Sequence, residues 1–410
     1  MSENLASLPQ GWEIITLGAI CELRRESIDP STNLHLPYVG LEHIKSGVPN
    51  LLCCGNANEV KSSKSKFYPD DVLYGKLRPY LDKAAISSFE GFCSTDILVL
   101  QSKPNFEASL LTYLLHTNKF LDHAVKTTKG VNHPRTSWQS ISEFVLNIPP
   151  LEEQMAISTT LRTIQTAKET RQKELALERE KKAALIDYLF TYGTRNEPRK
   201  QTELGEIPES WDLVKIEEVF ETQLGKMLSQ KAKTGISYKK YLRNANVQWG
   251  YIDYSEVFEM DFNDREIQKF SLKFGDILMC EGGEIGRTSI WRDELSECYF
   301  QKTIHRLRPR SSQIVNEFFF FWIERAFRFG NIYGVSGTQT TIAHFPQEKL
   351  RVTKIPLPSI SVQKEIANIL SSCDAKISAL EREITLHDEL FRAMLEELMT
   401  GQISSLPLAS

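Results

Sequence analysis

Two stretches of the chain carry a long helical pattern, and shorter apolar runs lie before each of them. Residues 151–190 contain no glycine or proline, and Leu, Ala, Glu, Lys and Arg dominate their later part, a composition that favours helix. Residues 362–399 place mostly apolar side chains at a 3-4 spacing: Ile366, Leu370, Cys373, Ile377, Leu380, Ile384, His387, Phe391, Met394 and Leu398. That spacing predicts the seam of a left-handed coiled coil. The first stretch keeps the same register with Ile157, Leu161, Ile164, Lys168, Arg171, Leu175, Glu178, Lys182, Leu185 and Leu189. Its middle is polar, so it packs well at its ends and needs a partner that offers charges at its centre.

Before the first helix, residues 14–23 read as a short helix or strand. Apolar runs bounded by turn residues then predict strands over 38–41, 51–54, 71–74 and 96–100. A helix over 107–117, a polar loop over 127–137 and a last segment at 144–146 complete the unit. The same order returns about 200 residues later. Ile207-Pro208 and Trp211 answer Leu8-Pro9 and Trp12. Gly275-Asp276-Ile277-Leu278 answers Asp70-Asp71-Val72-Leu73, and 303–307 answers 96–100. The apolar run 318–327 answers the 107–117 helix, and 336–340 answers the loop after Thr128. Each long helix follows a proline-punctuated segment, Ile148-Pro149-Pro150-Leu151 or Ile355-Pro356-Leu357-Pro358. The expected fold class is α+β: a duplicated globular α/β domain, each copy followed by a long helix, with the helices packed as an antiparallel coiled coil. The expected divisions are 1–150, helix 151–192, linker 193–203 with Gly193 at the helix end, second globular domain 204–358, helix 359–401 and tail 402–410. Ile157, Leu161, Leu175, Leu185 and Leu189 are expected to pack against Ile366, Leu370, Ile377, Leu380, Ile384, Phe391 and Leu398.

Composition changes this picture little. At 410 residues, 41% of them hydrophobic, the chain is long enough for two or three domains with real cores. A formal charge of −4 gives no global signal for nucleic acid, although a local basic face is hidden in such a sum. The cysteines include the adjacent Cys53 and Cys54 but no CxxC pair, which argues for neither zinc nor a disulfide framework. No apolar run is long enough to span a bilayer, so a soluble cytoplasmic protein is expected.

Catalytic chemistry is hard to find. Gly282-Gly283-Glu284-Ile285-Gly286 lacks the dinucleotide-binding frame and reads as a tight turn. Asn147-Ile148-Pro149-Pro150 resembles the amino-methyltransferase tetrapeptide only superficially, because Ile148 separates the asparagine from the prolines. No Walker A or HExxH spacing occurs, and Asp70-Asp71 reads as a turn before a strand. No catalytic residue and no metal site are assigned.

The ordered landmarks resemble the specificity subunits of type I restriction-modification systems over nearly the whole chain. The resemblance rests on Asp71-Val72-Leu73-Tyr74-Gly75-Lys76-Leu77-Arg78-Pro79, on Ser94-Thr95-Asp96-Ile97-Leu98-Val99-Leu100, and on Ile148-Pro149-Pro150-Leu151-Glu152-Glu153-Gln154. Gly275-Asp276-Ile277-Leu278 and a degenerate proline motif leading to Gln363 carry it in the second copy. It implies two target recognition domains, each reading half of a split double-stranded DNA target, with the helices as spacers. It also implies partners: two adenine methyltransferase subunits using S-adenosylmethionine, and restriction-translocase subunits using ATP and magnesium. No cofactor is expected on this chain. The rival readings are a specificity subunit whose partner fuses methyltransferase and nuclease, and a coiled-coil scaffold that never binds DNA.

On that resemblance, basic and amide-rich clusters become DNA-binding candidates, since Lys and Arg hold phosphates while Arg, Asn and Gln also read base edges. In the first unit they are Lys61, Lys64, Lys66, Tyr74, Lys76, Arg78, Tyr80, His133 and Arg135. In the second they are Lys226, Lys231, Lys239, Lys240, Arg243, Gln248, Arg287, Arg306, Thr338 and Gln339. For any one lysine a solvated surface position is an equally good account; the clusters carry the reading.

Overall fold

A computed structural model of the chain describes residues 8–229, 235, 237–330, 332–333 and 344–404. They form two compact units. The first gathers the described residues up to Gln172 and from Arg382 onward; the second is Lys173–Glu381.

In the first unit, strands β1 (Cys21–Leu23), β2 (Val72–Gly75), β3 (Ala84–Ile86) and β4 (Ile97–Ser102) form an antiparallel sheet in the order β1-β4-β2-β3. The central strands β2 and β4 are apolar on successive positions because both faces of the sheet are covered. In the second unit, β5 (Phe220–Leu224), β6 (Ile277–Cys280), β7 (Thr288–Ile290) and β8 (Ile304–Pro309) repeat that order as β5-β8-β6-β7. Even the register is kept, Gly75 opposing Ile97 and Cys280 opposing Ile304. The turn before β2 is built on Asp70, whose φ is +68°, and on the Asp71 carboxylate, which accepts the Tyr68 amide at 2.8 Å. Gly275 at φ +86° and the Asp276 carboxylate, taking the Lys273 amide at 2.8 Å, rebuild it before β6. The paired acids are turn formers, as their position in the sequence indicated.

One expected strand is corrected. Residues 51–54 form no strand, and Cys53 and Cys54 are exposed. Lys64–Phe67 is a strand instead, within a second four-stranded sheet of the first unit; its polar alternation hid it.

The long helices are α1 (Leu151–Tyr192) and α2 (Ile360–Met399). Each is shared between the units. In the first unit Ile157 and Leu161 of α1 and Phe391 and Leu398 of α2 enter one core with Leu17, Tyr74, Leu110 and Phe120. In the second, Ile186, Leu189 and Ile366 with Leu370 join Trp211, Phe318 and Trp322, and Leu185 packs at the edge. The remaining seam positions Leu175, Ile377 and Ile384 are half-buried, and Leu380 is buried. In the first unit Lys168 pairs with Asp388 and Arg171 with Glu383, so the helices run antiparallel. In the second, Glu178 meets Lys376 at 3.3 Å, Arg179 meets Glu381 at 2.6 Å, and Lys182 lies 2.7 Å from both Glu324 and Asp374. The charged partner that the polar centre of α1 requires is therefore mostly α2 itself.

The proline segments gain a physical reason. Gln154, buried in the first turn of α1, donates Nε2 to the Pro149 carbonyl at 3.0 Å and accepts the Glu107 amide on Oε1 at 3.1 Å. Gln363 does the same in α2, donating to the Pro358 carbonyl at 2.8 Å and accepting the Val315 amide at 2.8 Å. Each glutamine thus ties a long helix to the start of the domain helix beside it. Gln154→Leu leaves a buried carbonyl and a part-buried amide without partners, and a stability loss of about 1–3 kcal/mol is expected. Denaturant unfolding is the check; an unshifted midpoint would show that the glutamine clamp adds nothing to stability.

Candidate nucleic-acid interface

In the first unit two loops meet at the end of the central sheet. One, residues 76–82, links β2 to β3. The other, 127–137, returns from the domain helices. They are joined by main-chain bonds, Arg78 N–H to the Pro134 carbonyl at 2.8 Å and Thr136 N–H to the Lys76 carbonyl at 3.1 Å. The second loop closes on itself through reciprocal Lys129 and Arg135 amide–carbonyl bonds. Its tip projects fully, with Val131 98% exposed. Arg78 sits at φ +51° in the left-handed region, a conformation stabilised by its bond to Pro134 and by Pro79 starting the next turn.

This meeting brings Lys76, Arg78, Tyr80, His133 and Arg135 together, along with Lys129, which sequence reasoning missed. Tyr80 is 53% exposed, and Arg78 and His133 are exposed. Lys76 and Arg78 have no ion-pair partner among the described residues. Arg135 donates Nε to Asp96 at 2.9 Å, and that bond holds the Asp96 carboxyl below the usual carboxylate range. Lys76 and His133 add to the positive field around the same carboxylate. The result is a basic, hydrogen-bonding ridge with an aromatic ring and an aliphatic tip, able to hold phosphates and to enter a groove.

Other candidates have different places. Tyr74 is 1% exposed and packs on Phe120 in the core, so it is corrected to a core residue. Lys64 is buried and bonds Ser62. Lys66 pairs with Glu26 and with Glu90, which lies in the turn at the far end of β3 from the loop 76–82. Lys61 is exposed, and no contact ties it to the two loops.

In the second unit the turn 281–286 occupies the place of 76–82, between β6 and β7, and Gly282 pairs with His344. The candidates Lys231, Thr338 and Gln339 lie outside the described residues. Arg306 is corrected outright: it is 2% exposed and donates to the Lys269 and Ser271 carbonyls and to Glu221. These partners take up its Nη1 and Nη2 donors inside the protein, away from any DNA. Lys226 is also internal, bonding the Asp261 carbonyl and Glu266 at 2.6 Å. Lys239 pairs with Glu297, and Arg243 pairs with Glu256 while lying 3.7 Å from the Phe258 ring centre. Gln248 donates to the Ala245 carbonyl. Lys240 is exposed without an ion-pair partner among the described residues. Arg287 donates to the Asn244 carbonyl at 2.6 Å and leans on Glu284, at the edge of the turn. Among the described residues no cluster of His, Cys, Asp and Glu is arranged to hold a metal, and no helix is long and apolar enough to cross a membrane.

The comparisons with known proteins follow the duplication. The type I restriction modification DNA specificity domain matches twice, over residues 9–179 and 208–387. The chain belongs to this family. The MjaVIII specificity subunit of Methanocaldococcus jannaschii is 25% identical, the match covering 97% of this chain and 94% of that one. The HsdS subunit from Thermoanaerobacter tengcongensis has a similar fold, with a TM-score of 0.51 at 18% identity over 98% of this chain and 100% of that one. The type I system S subunit from M. genitalium reaches 0.59 at 12% identity, covering 97% and 98%. As a family member the chain is a non-catalytic, DNA-recognising specificity subunit of a type I restriction-modification complex, and neither rival reading is favoured.

Proposed function

We propose that each unit of this specificity subunit reads one tract of a split duplex target through its pair of loops. The subunit then presents that DNA to two adenine methyltransferase subunits and to restriction-translocase subunits in the cytoplasm. The methyltransferases bring S-adenosylmethionine and rotate the target adenine out of the stack, while the translocases bring ATP and magnesium. The observation that carries the reading is the convergence of 76–82 and 127–137 into one basic ridge, in which Lys76 and Arg78 have no ion-pair partner among the described residues.

Arg78→Ala is expected to weaken duplex binding in a way that reports its role. If the guanidinium holds a phosphate, its removal lowers the slope of log K against log salt by about 0.9. If it reads a base edge, its removal costs about 1–3 kcal/mol, confined to one base of one tract. Salt-dependent binding of a duplex carrying the target, measured beside binding of scrambled duplexes, separates the two. Unchanged affinity on both would remove the ridge from the interface.

A further inference from the structure

The turn 281–286 of the second unit carries a carboxylate where a DNA-facing loop is expected to carry cations. Glu284 keeps 57% of its side chain exposed, yet it is pinned from behind. Its Oε1 accepts Trp249 Nε1–H at 2.7 Å, and its Oε2 accepts Arg287 Nη1–H at 3.4 Å. Arg287 is itself largely buried and anchored on the Asn244 carbonyl. Gly283, at φ +77°, lets the turn close on Asn244: a Cβ there would lie 3.2 Å from the Asn244 amide nitrogen. The carboxylate is thus oriented by two donors on its protein side and open on the other.

A carboxylate accepts about four hydrogen bonds and donates none. Two acceptor positions are engaged here, and the solvent-facing ones are able to take a donor from a ligand. Near DNA the phosphates repel such a group, and a base amino group in the groove is a donor that compensates. In the major groove cytosine offers its N4 amino group, whereas guanine offers only acceptors and thymine an acceptor with a methyl group. Adenine sets its N7 acceptor beside the amino group, which opposes a second carboxylate oxygen. We infer that Glu284 is a specificity-determining residue that reads a cytosine through N4 in the tract of the second unit. The inference rests on the proposed reading that this turn faces DNA. The corresponding loop of the first unit carries the donor Arg78, so the two copies present opposite hydrogen-bonding character at the same place in the fold.

The test is selection from a duplex pool randomised through both tracts, using the full chain alone and with the proteins that purify with it. Wild type, Glu284→Gln, Glu284→Ala and Trp249→Phe are compared, with melting temperatures measured in parallel. Glutamine keeps an acceptor for Trp249 and gains the amide donor that suits adenine. Glu284→Gln is therefore expected to move the preference at one position from cytosine to adenine by on the order of ten-fold. Glu284→Ala should erase the preference at that position and leave every other position intact. Trp249→Phe, which takes away one of the carboxylate's two donors and leaves Arg287, should blur the same position. Base frequencies unchanged in all three variants would overturn the assignment and leave Glu284 a structural anchor, whatever the melting temperatures. If the wild-type chain enriched no sequence under either condition, the DNA-facing reading of the loops would fail, and this inference with it.

Discussion

Leu380→Asp is expected to collapse the helical pair and lower the melting temperature by more than any surface change in the chain. Leu380 is 4% exposed on the seam face of α2, and the flanking seam positions Ile377 and Ile384 are half-buried. Truncating such a leucine to alanine costs about 2–5 kcal/mol. Aspartate adds the cost of burying a charge, and its chain neighbour Glu381 adds repulsion. Leu386 of the same helix is 62% exposed, so Leu386→Asp is the matched control and should leave the transition within about 0.5 kcal/mol. Circular dichroism melts of the two variants give the comparison. An unchanged transition for Leu380→Asp would mean that the register of the seam is wrong.

The second large effect is expected from exchange of a whole reading domain. Each unit has its own central sheet and its own aromatic core. Replacing residues 11–149 by those of a different specificity subunit, with both long helices kept, should therefore change one tract of the methylated motif completely and leave the other as it was. The junctions must preserve Gln154 and its bonds to Pro149 and Glu107, or the new domain will sit loosely on α1. Sequencing of modified bases in a host expressing the exchanged chain with its partner subunits reads both tracts at once. Alteration of both tracts would refute separate reading.

Much of this architecture was legible because periodicity survives divergence. The seam positions from Ile157 to Leu189 and from Ile366 to Leu398 fall mostly on buried or half-buried faces, since a 3-4 repeat has no other use over such a length. The duplication was legible for the same reason: Trp12 and Trp211, and Asp71 and Asp276, are scaffold residues. Side-chain direction was not legible. Tyr74 stands just before the basic Lys76 and Arg78, but β2 is covered on both faces, so its ring is buried whichever way it points. Arg306 and Lys226 look like DNA-binding residues because charge is conspicuous in a sequence and its internal partners are not. Glu284 was passed over within a glycine-rich turn, because its two donors come from Trp249 and Arg287, which only folding brings together. The copies also differ where the sequence signal is faint. Trp12 donates to Glu153 at 3.0 Å, but Val362 stands at the equivalent place in α2, and the Trp211 indole N–H has no partner among the described residues.

The division of both helices between the units has a consequence for the order in which the protein is made. Lys173–Glu381 is one continuous segment, so the second unit has all of its residues as soon as Glu381 leaves the ribosome. The first unit is translated earlier yet lacks Phe391, Leu395 and Leu398, which its core requires, until the last turns of α2 emerge. Closing it joins residues far apart in the sequence, a slow kind of pairing to find. The domain that is synthesised first is thus the one completed last, its core lacking Phe391, Leu395 and Leu398 in the interval. Proteolysis of ribosome-arrested chains should show protection of the later segment before the earlier one.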